Sequence, residues 1–198
     1  MKKGIAFFDF DGTITTHDTL LAFIRSSKGS IPFIWGFFIN GPWLLAYKLG
    51  IISNQSAKER ILSYFFKGMK QEEFEERCNR FSKNVLPALI RTSALKEISR
   101  LRQNGSLIVV VSASPENWIR SWSQAQGLEL IASKLEIKEG RITGKILGKN
   151  CHGPEKVRRI LEKHVMSDYE EVFAYGDTNG DLPMLKLATS SFYRPFRK

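Results

Sequence analysis

Cysteine is scarce in this chain. Its 198 residues include only Cys78 and Cys151, far apart and in no CxxC arrangement, which reads as a reduced, intracellular protein. A secretory leader is not expected either: Lys2 and Lys3 precede an apolar run, but Asp9 and Asp11 interrupt it too soon. No block of like charges marks a disordered basic tail, and "RPFRK" at the end is only a short hint of one. There is no internal repeat and no low-complexity segment. Acidic residues are the minority, 20 against 30 Lys and Arg, for a net charge of +10 and a pI near 9.7. That balance favours anionic partners: nucleic acid, phosphorylated substrates or anionic lipid. The basic residues do not interleave with an aromatic stacking platform, so no nucleic-acid partner is expected.

The length suits one domain, or a core domain with an insertion, and a hydrophobic fraction of 42% is enough for a packed core. "GIAFFDF", "SLIVVVSAS" and "EVFAYGD" are apolar without alternation, as strands buried on both faces are. Helical patterns separate them. "SALKEISRLRQNG" stops at Asn-Gly; "SPENWIRSWSQAQG" offers Ser114 as an N-cap and Pro115 at the first helical position; "GPEKVRRILEKHV" repeats the proline start. These elements predict an α/β fold with a doubly wound parallel sheet. "KLEIKEGRITGKI" alternates about Glu139-Gly140 and predicts a β-hairpin. Residues 17–90 carry no convincing strand. "SAKERILSYFF" opens with a capping box from Ser56 to Glu59, and "KQEEFEERCNRFSKNVL" has helical periodicity with an acidic first turn. The expected organisation is an α/β core, residues 1–16 plus 91–198, with an all-helical cap, 17–90, inserted after the first strand.

Ligands of an open parallel sheet bind beyond the carboxyl ends of its strands. The first strand ends in "DFDGT", with Asp9 and Asp11 two residues apart. Two such carboxylates repel unless a cation lies between them or one is protonated, and a hard ion such as Mg2+ suits oxygen ligands. The second strand ends in Ser112, just before a helix N-terminus that suits an anion. The third ends in "GDTNGD", offering Asp177 and Asp181. Lys156 lies in the first turn of a helix, where its charge opposes the dipole and a nearby anion would relieve it. Each feature has a bland counterpart: a solvated turn, an N-cap serine, a surface lysine, an ordinary loop. "GDTNGD" also lacks the glutamate twelve residues from its start that an EF-hand calcium loop needs. Their joint occurrence, in order, each at a strand end or helix start, is what favours a site.

"DFDGT", the Ser of "VVVSAS", the Lys of "GPEKV" and "GDTNGD" together resemble the four motifs of the haloacid dehalogenase (HAD) superfamily. The helical insertion directly after the first motif resembles the phosphoserine phosphatase-like branch. The resemblance implies a phosphomonoesterase in which Asp9 is the nucleophile, forming an aspartyl-phosphate, and Asp11 the general acid and then base. It implies Mg2+ held by Asp9, the backbone carbonyl of Asp11, and Asp177, with Asp181 in support. Thr13, Ser112 and Lys156 would hold the phosphoryl oxygens. Departures bear on substrate: Asp18 stands where phosphoserine phosphatases usually carry Glu, Ala113 follows the motif serine in place of Gly, and Gly180 replaces the usual Asn, with Asn179 one place earlier. Asp18 and Asn179 are therefore specificity candidates. No cap arginine stands out as a carboxylate clamp; Arg60 is a candidate.

No charged residue lies between Lys28 and Lys48, and "IPFIWGFFINGPWLLAYKLGII" fills that gap. A single membrane crossing is excluded, because Asp9 precedes the stretch and Ser112, Lys156 and Asp177 follow it, yet all must meet around one phosphate. Asn40-Gly41-Pro42 divides it into two arms of about ten residues, each ~15 Å long against a ~30 Å hydrocarbon core. Two short helices are expected over residues 31–47, either as cap core or as an outward aromatic surface touching a membrane interface, where Trp35, Trp43 and Tyr47 are at home. The stretch also resembles the hydrophobic insertion of HAD phosphatases acting on phosphatidylglycerophosphate. The substrate is thus expected to be a small phosphomonoester, phosphoserine-like, or else a lipid phosphate met at the membrane surface. The expected setting is cytoplasmic, peripheral at the inner face of the membrane in the lipid case. A non-catalytic binding module is the rival, and the intact Asp9, Asp11, Lys156 and Asp177 set argues against it.

Overall fold

In the first strand, β1 (Lys2–Phe8), residues 5–8 are buried on both faces, and their alternating side chains divide the core in two. The computed structural model describes residues 2–197. Ile5 and Phe7 point into one cluster, Ala6 and Phe8 into the other. β1 pairs in parallel with β2 (Ser106–Pro115) on one side and β6 (Tyr169–Gly176) on the other. β3 (Glu129–Ser133) and β7 (Ser190–Tyr193) complete a five-stranded parallel sheet of order β3-β2-β1-β6-β7. Both outer strands escape the sequence reading, being short and partly polar.

Helices cover both faces. α7 (Thr92–Gln103) places Ala94, Ile98 and Leu101 against the Ala6–Phe8 face, joined by Trp122 of α8 (Arg120–Ala125). α9 (Pro154–Lys163) and α10 (Leu182–Leu187) give Ile160, Met184 and Leu185 to the opposite face. α7 ends at Asn104 and Gly105, the latter at φ +81°, as the Asn-Gly stop predicts. Gly153 caps α9, with Pro154 in its first turn, again as expected.

Between β1 and α7 lie α1 (Thr19–Lys28), α2 (Ser30–Ile39), α3 (Gly41–Lys48), α4 (Asn54–Phe66), α5 (Gln71–Asn84) and α6 (Leu86–Leu89). No strand falls within them among the described residues. Their core centres on Phe23, whose ring meets those of Phe66, Phe74, Phe81 and Trp118 with centroids 4.7–5.5 Å apart. β4 (Leu135–Lys138) and β5 (Arg141–Ile146) form the expected antiparallel hairpin, with Glu139 and Gly140 both at positive φ. The hairpin is docked on the helical layer: Gly68 N–H donates to Ile142 O at 2.8 Å, and Ile142 N–H to Met69 O at 2.9 Å. At Gly144, φ +82°, an added Cβ would stand 2.3 Å from Ser63 Cα of α4.

Two helix starts differ from expectation. α4 begins a turn earlier, capped by Ser53, whose Oγ accepts from Ser56 N–H at 3.1 Å. Glu59 does not close a capping box; its carboxylate accepts from Ile146 N–H and from the Gln55 amide, a partner 87 residues away outcompeting a local one. Ser114 and Pro115 start no helix. They extend β2 through an irregular register, and a 3-10 turn (Glu116–Trp118) precedes α8.

Candidate active site

Two adjacent strands deliver the acidic groups. β1 ends at Asp9, whose N–H donates to Tyr175 O at 2.9 Å and so extends the ladder. The chain then turns through Phe10–Ile14, with Gly12 at φ +82°. A side chain there would clash: its Cβ would stand 2.5 Å from Asp177 Oδ2. Asp177 follows β6, and Asp181 sits in a 3-10 turn, Asn179–Asp181, whose capping box joins it to Thr178. Oxygens of Asp9, Asp177 and Asp181 all lie within 4.8 Å of one another, and all three residues are buried.

Lys156 is no surface lysine. Fully buried, its Nζ donates to Asp9 Oδ1 at 2.5 Å, Asp181 Oδ1 at 2.7 Å and Val111 O at 2.8 Å. Burial opposes its charge, but the two carboxylates outweigh burial and hold its pKa above the ordinary value. Even so, one ammonium does not compensate three carboxylates. Asp9 is pushed up to about 8, chiefly by burial, with Asp181 and Asp11 adding repulsion against the pull of Lys156. Asp177 is also raised by burial, opposed by Arg197, which pairs with its Oδ2. Asp181 stays below its usual value despite burial, because Lys156 and Thr178 donate to it. A buried all-oxygen cluster in which Asp9 is driven toward its neutral form and Asp177 leans on a half-exposed arginine fits a hard divalent cation.

Asp11 stands apart from this cluster. Its Oδ1 accepts from Thr19 N–H at 2.7 Å and Thr19 Oγ1 at 2.5 Å, and its Oδ2 from Ser114 Oγ at 2.6 Å. Thr13 and Ser112 are buried and do not line the cleft: Thr13 Oγ1 donates to Asp177 Oδ1 at 3.2 Å, and Ser112 Oγ accepts from Ser114 N–H at 3.0 Å. The expected helix N-terminus beside Ser112 is absent as well, since β2 continues past it.

The cleft above these groups has a volume of about 560 Å³. Asp18 and Asn179 line it, as do Tyr47 and Asn54 from the helical layer. Asp18 caps α1, accepting from Leu20 N–H at 2.8 Å. Although its side chain meets the water of the cleft, the protein around it raises its pKa to about 6, with Asp11 adding repulsion and Lys58 opposing. Arg60 is not in the cleft. Its Nε donates to Asn40 Oδ1 at 2.8 Å, which fixes the junction of α2 and α3 instead of a ligand.

Lys58, two residues before the expected Arg60 and so on another side of α4, is the helical layer's cation in the cleft. Its Nζ donates to Ala113 O at 2.7 Å, and burial lowers its pKa against the pull of Asp11 and Asp18. His152 also lines the cleft, packed so tightly on Gly180 that an added Cβ there would stand 2.3 Å from its Nε2. Arg197 completes the wall through a C-terminal turn in which Arg194 Nε donates to Asp177 O. Sequence reasoning missed all three. Only "KERI", with two cations in one turn, carried a signal, and it favoured the wrong one.

The profile of the haloacid dehalogenase-like hydrolases matches residues 6–186. Protein CicA of Caulobacter vibrioides is 34% identical over 194 residues, covering 96% of this chain and 85% of the relative. A Bordetella pertussis Tohama I protein of unknown function shares the fold with a TM-score of 0.83 at 22% identity, over 96% of this chain and 89% of that one. A phosphoserine phosphatase solved as a phospho-aspartyl intermediate analogue superimposes with a TM-score of 0.70 at 20% identity, over 96% and 86% of the two chains. With its acidic groups gathered beyond the ends of two neighbouring parallel strands, β1 and β6, the chain belongs to the haloacid dehalogenase-like hydrolases.

Proposed function

We propose that the protein is a Mg2+-dependent phosphomonoester hydrolase working through an aspartyl-phosphate. The observation that carries this is the pairing of a buried Asp9–Lys156–Asp181 ion network with a separate, hydrogen-bonded Asp11 at the same cleft. Lys156 engages Asp9 Oδ1, so attack on phosphorus falls to Oδ2. Asp11, held by Thr19 and Ser114, is placed to protonate the leaving oxygen and then to take a proton from the attacking water. Asp9, Asp177 and Asp181, with the Asp11 carbonyl, are the groups that would hold Mg2+. The ion would supply positive charge against the phosphoryl oxygens, the main lever available for so slow a reaction. Lys156 and the backbone around Thr13 and Ser112 are the remaining phosphate-binding groups. We read residues 17–90 as a cap that closes this cleft.

One substrate reading is a small phosphomonoester, in line with the fold shared with phosphoserine phosphatase. Asp18 and Lys58 offer opposite charges for a substrate's amine and carboxylate. A second reading, a lipid phosphate, is favoured by Tyr47 at the cleft wall, since its helix α3 belongs to an exposed apolar surface. The chemistry is tested with p-nitrophenyl phosphate: turnover should require Mg2+ and stop in EDTA. Asp9→Asn should abolish turnover and also trapping by beryllium fluoride. Undiminished turnover in Asp9→Asn would refute the assignment.

A further inference from the structure

The α2–α3 hairpin is apolar on both of its faces. On α2 the inward face is Phe33, Gly36 and Phe37, set against the helical core. Gly36 sits so close to α4 that an added Cβ would meet Phe65 Cζ at 2.2 Å. The outward face is Ile31, Ile34, Trp35 and Phe38, spaced i, i+3, i+4, i+7; Trp35 is 58% and Phe38 73% exposed. α3 and the turn after it add Trp43, Leu45, Leu49 and Ile51, all exposed. The surface is held in shape and not merely left over. Asn40, buried at the junction, donates to Gly36 O at 2.7 Å and accepts from Arg60. A helix apolar all round normally belongs in a core or a membrane, and this one is covered on one side only.

Charge selects the occupant. From Thr19 to Lys58 the chain has no Asp or Glu, while Arg25, Lys28 and Lys48 border the apolar stretch. A second copy docked about a two-fold axis would present the same patch and so no complementary charge. An anionic bilayer surface supplies both an apolar layer and the opposite charge, and indole and phenol rings favour that zone. No helix is long and apolar enough to cross a membrane. α2, at ~15 Å, can lie in the interface but reaches only about half of a ~30 Å hydrocarbon layer.

We propose that the α2–α3 hairpin docks the protein on the surface of an anionic membrane, with the cleft wall at Tyr47 beside the lipid headgroups. The consequence, a lipid-borne phosphomonoester as substrate, rests on the phosphatase reading; the docking does not, and it is measured without turnover.

Trp118 and Trp122 are buried, so a change in tryptophan emission on adding vesicles reports Trp35 and Trp43. Vesicles enriched in phosphatidylglycerol should sediment the protein, shift its emission to the blue and, when the acyl chains are brominated, quench it. Phosphatidylcholine alone should do so less, and added salt should weaken binding, because surface charge is screened over ~10 Å at 0.1 M. The double variant Trp35→Ser, Phe38→Ser should keep its melting temperature and its p-nitrophenyl phosphate turnover while vesicle partitioning falls about tenfold or more. Wild-type protein that stays in the supernatant with anionic vesicles at low salt, with no quenching by brominated lipid, overturns the proposal. So does a dimer that the same variant dissociates while vesicles are ignored, since the patch would then be a contact between copies. Because the quenching is read on wild-type protein, a variant that fails to fold does not block the test. Failure to hydrolyse p-nitrophenyl phosphate alongside intact vesicle binding would sink the phosphatase reading and leave the docking in place.

Discussion

Asp9 and Asp11 differ in environment more than in position. Asp9 shares one buried lysine with Asp181, whereas Asp11 is held by the hydroxyls of Thr19, Ser114 and Ser112 and by a backbone N–H, outside the Asp9–Asp177–Asp181 cluster. Their substitutions should therefore separate. Asp11→Asn keeps the backbone carbonyl and should bind Mg2+ as wild type does in calorimetric titration, while turnover falls by roughly 10²–10⁴. A good leaving group needs less protonation, so the loss should be smaller for p-nitrophenyl phosphate than for an alkyl phosphate. Equal losses on both would count against Asp11 as the acid. Thr13 and Ser112 act on the acidic groups themselves at this scale: the Thr13 hydroxyl donates to Asp177, and the Ser112 hydroxyl donates to Asp11 while accepting from Ser114 N–H.

Single elements also carry strain and charge that can be tested. Asp18 caps α1 while its pKa rises to about 6 from 3.8. The folded state thus holds this proton more tightly than the unfolded chain. Its stabilising contribution is fully present below 3.8 and is lost as pH rises through about 6. Asn is as good an N-cap, so Asp18→Asn should preserve α1 and remove that slope. Urea melts of the two proteins should show wild type losing ground to Asp18→Asn from about pH 4 to pH 6, with a constant gap above; a pH-independent gap would show that the group is not shifted. On the β4–β5 hairpin, Gly144 combines φ +82° with a contact to the α4 backbone that cannot yield as a side chain would. Gly144→Ala should cost about 1–3 kcal/mol in urea unfolding and loosen the seat of α4 on the hairpin. An unchanged midpoint would mean that α4 shifts freely there.

At the level of the whole molecule, the fold brings together three buried carboxylates, with Lys156 between two of them and the half-exposed Arg197 on the third, and leaves Asp9 pushed toward its neutral form. Stability should therefore depend on divalent cation. Mg2+ at a hundred times its dissociation constant should stabilise the protein by ~2.7 kcal/mol, read as a rise in melting temperature that EDTA reverses. In Asp177→Asn the rise should be much smaller. A melting temperature indifferent to Mg2+ would contradict the cluster as a metal site. Arg197 now pairs with Asp177 Oδ2, and its side chain is half-exposed, so an ion arriving at Asp177 competes with a group that can swing into solvent.

The unbroken apolar runs of β1, β2 and β6 by themselves imply a parallel sheet, because strands covered on both faces cannot alternate. The same runs placed Asp9 and Asp177 at strand ends, and Gly153-Pro154 placed Lys156 in a first helical turn. These features are local, so a linear pattern records them. The division of α2 and α3 at Asn40 was equally legible, since the chain itself breaks there. Tertiary structure alone decided which serine capped α4, because Ile146 claimed Glu59 from a distant hairpin. It decided that Lys58 and not Arg60 enters the cleft, since Asn40 holds Arg60 away. It also decided that one face of α2 stays uncovered. Periodicity shows that a helix has apolar faces, but only the packing of its neighbours determines how many of them are buried.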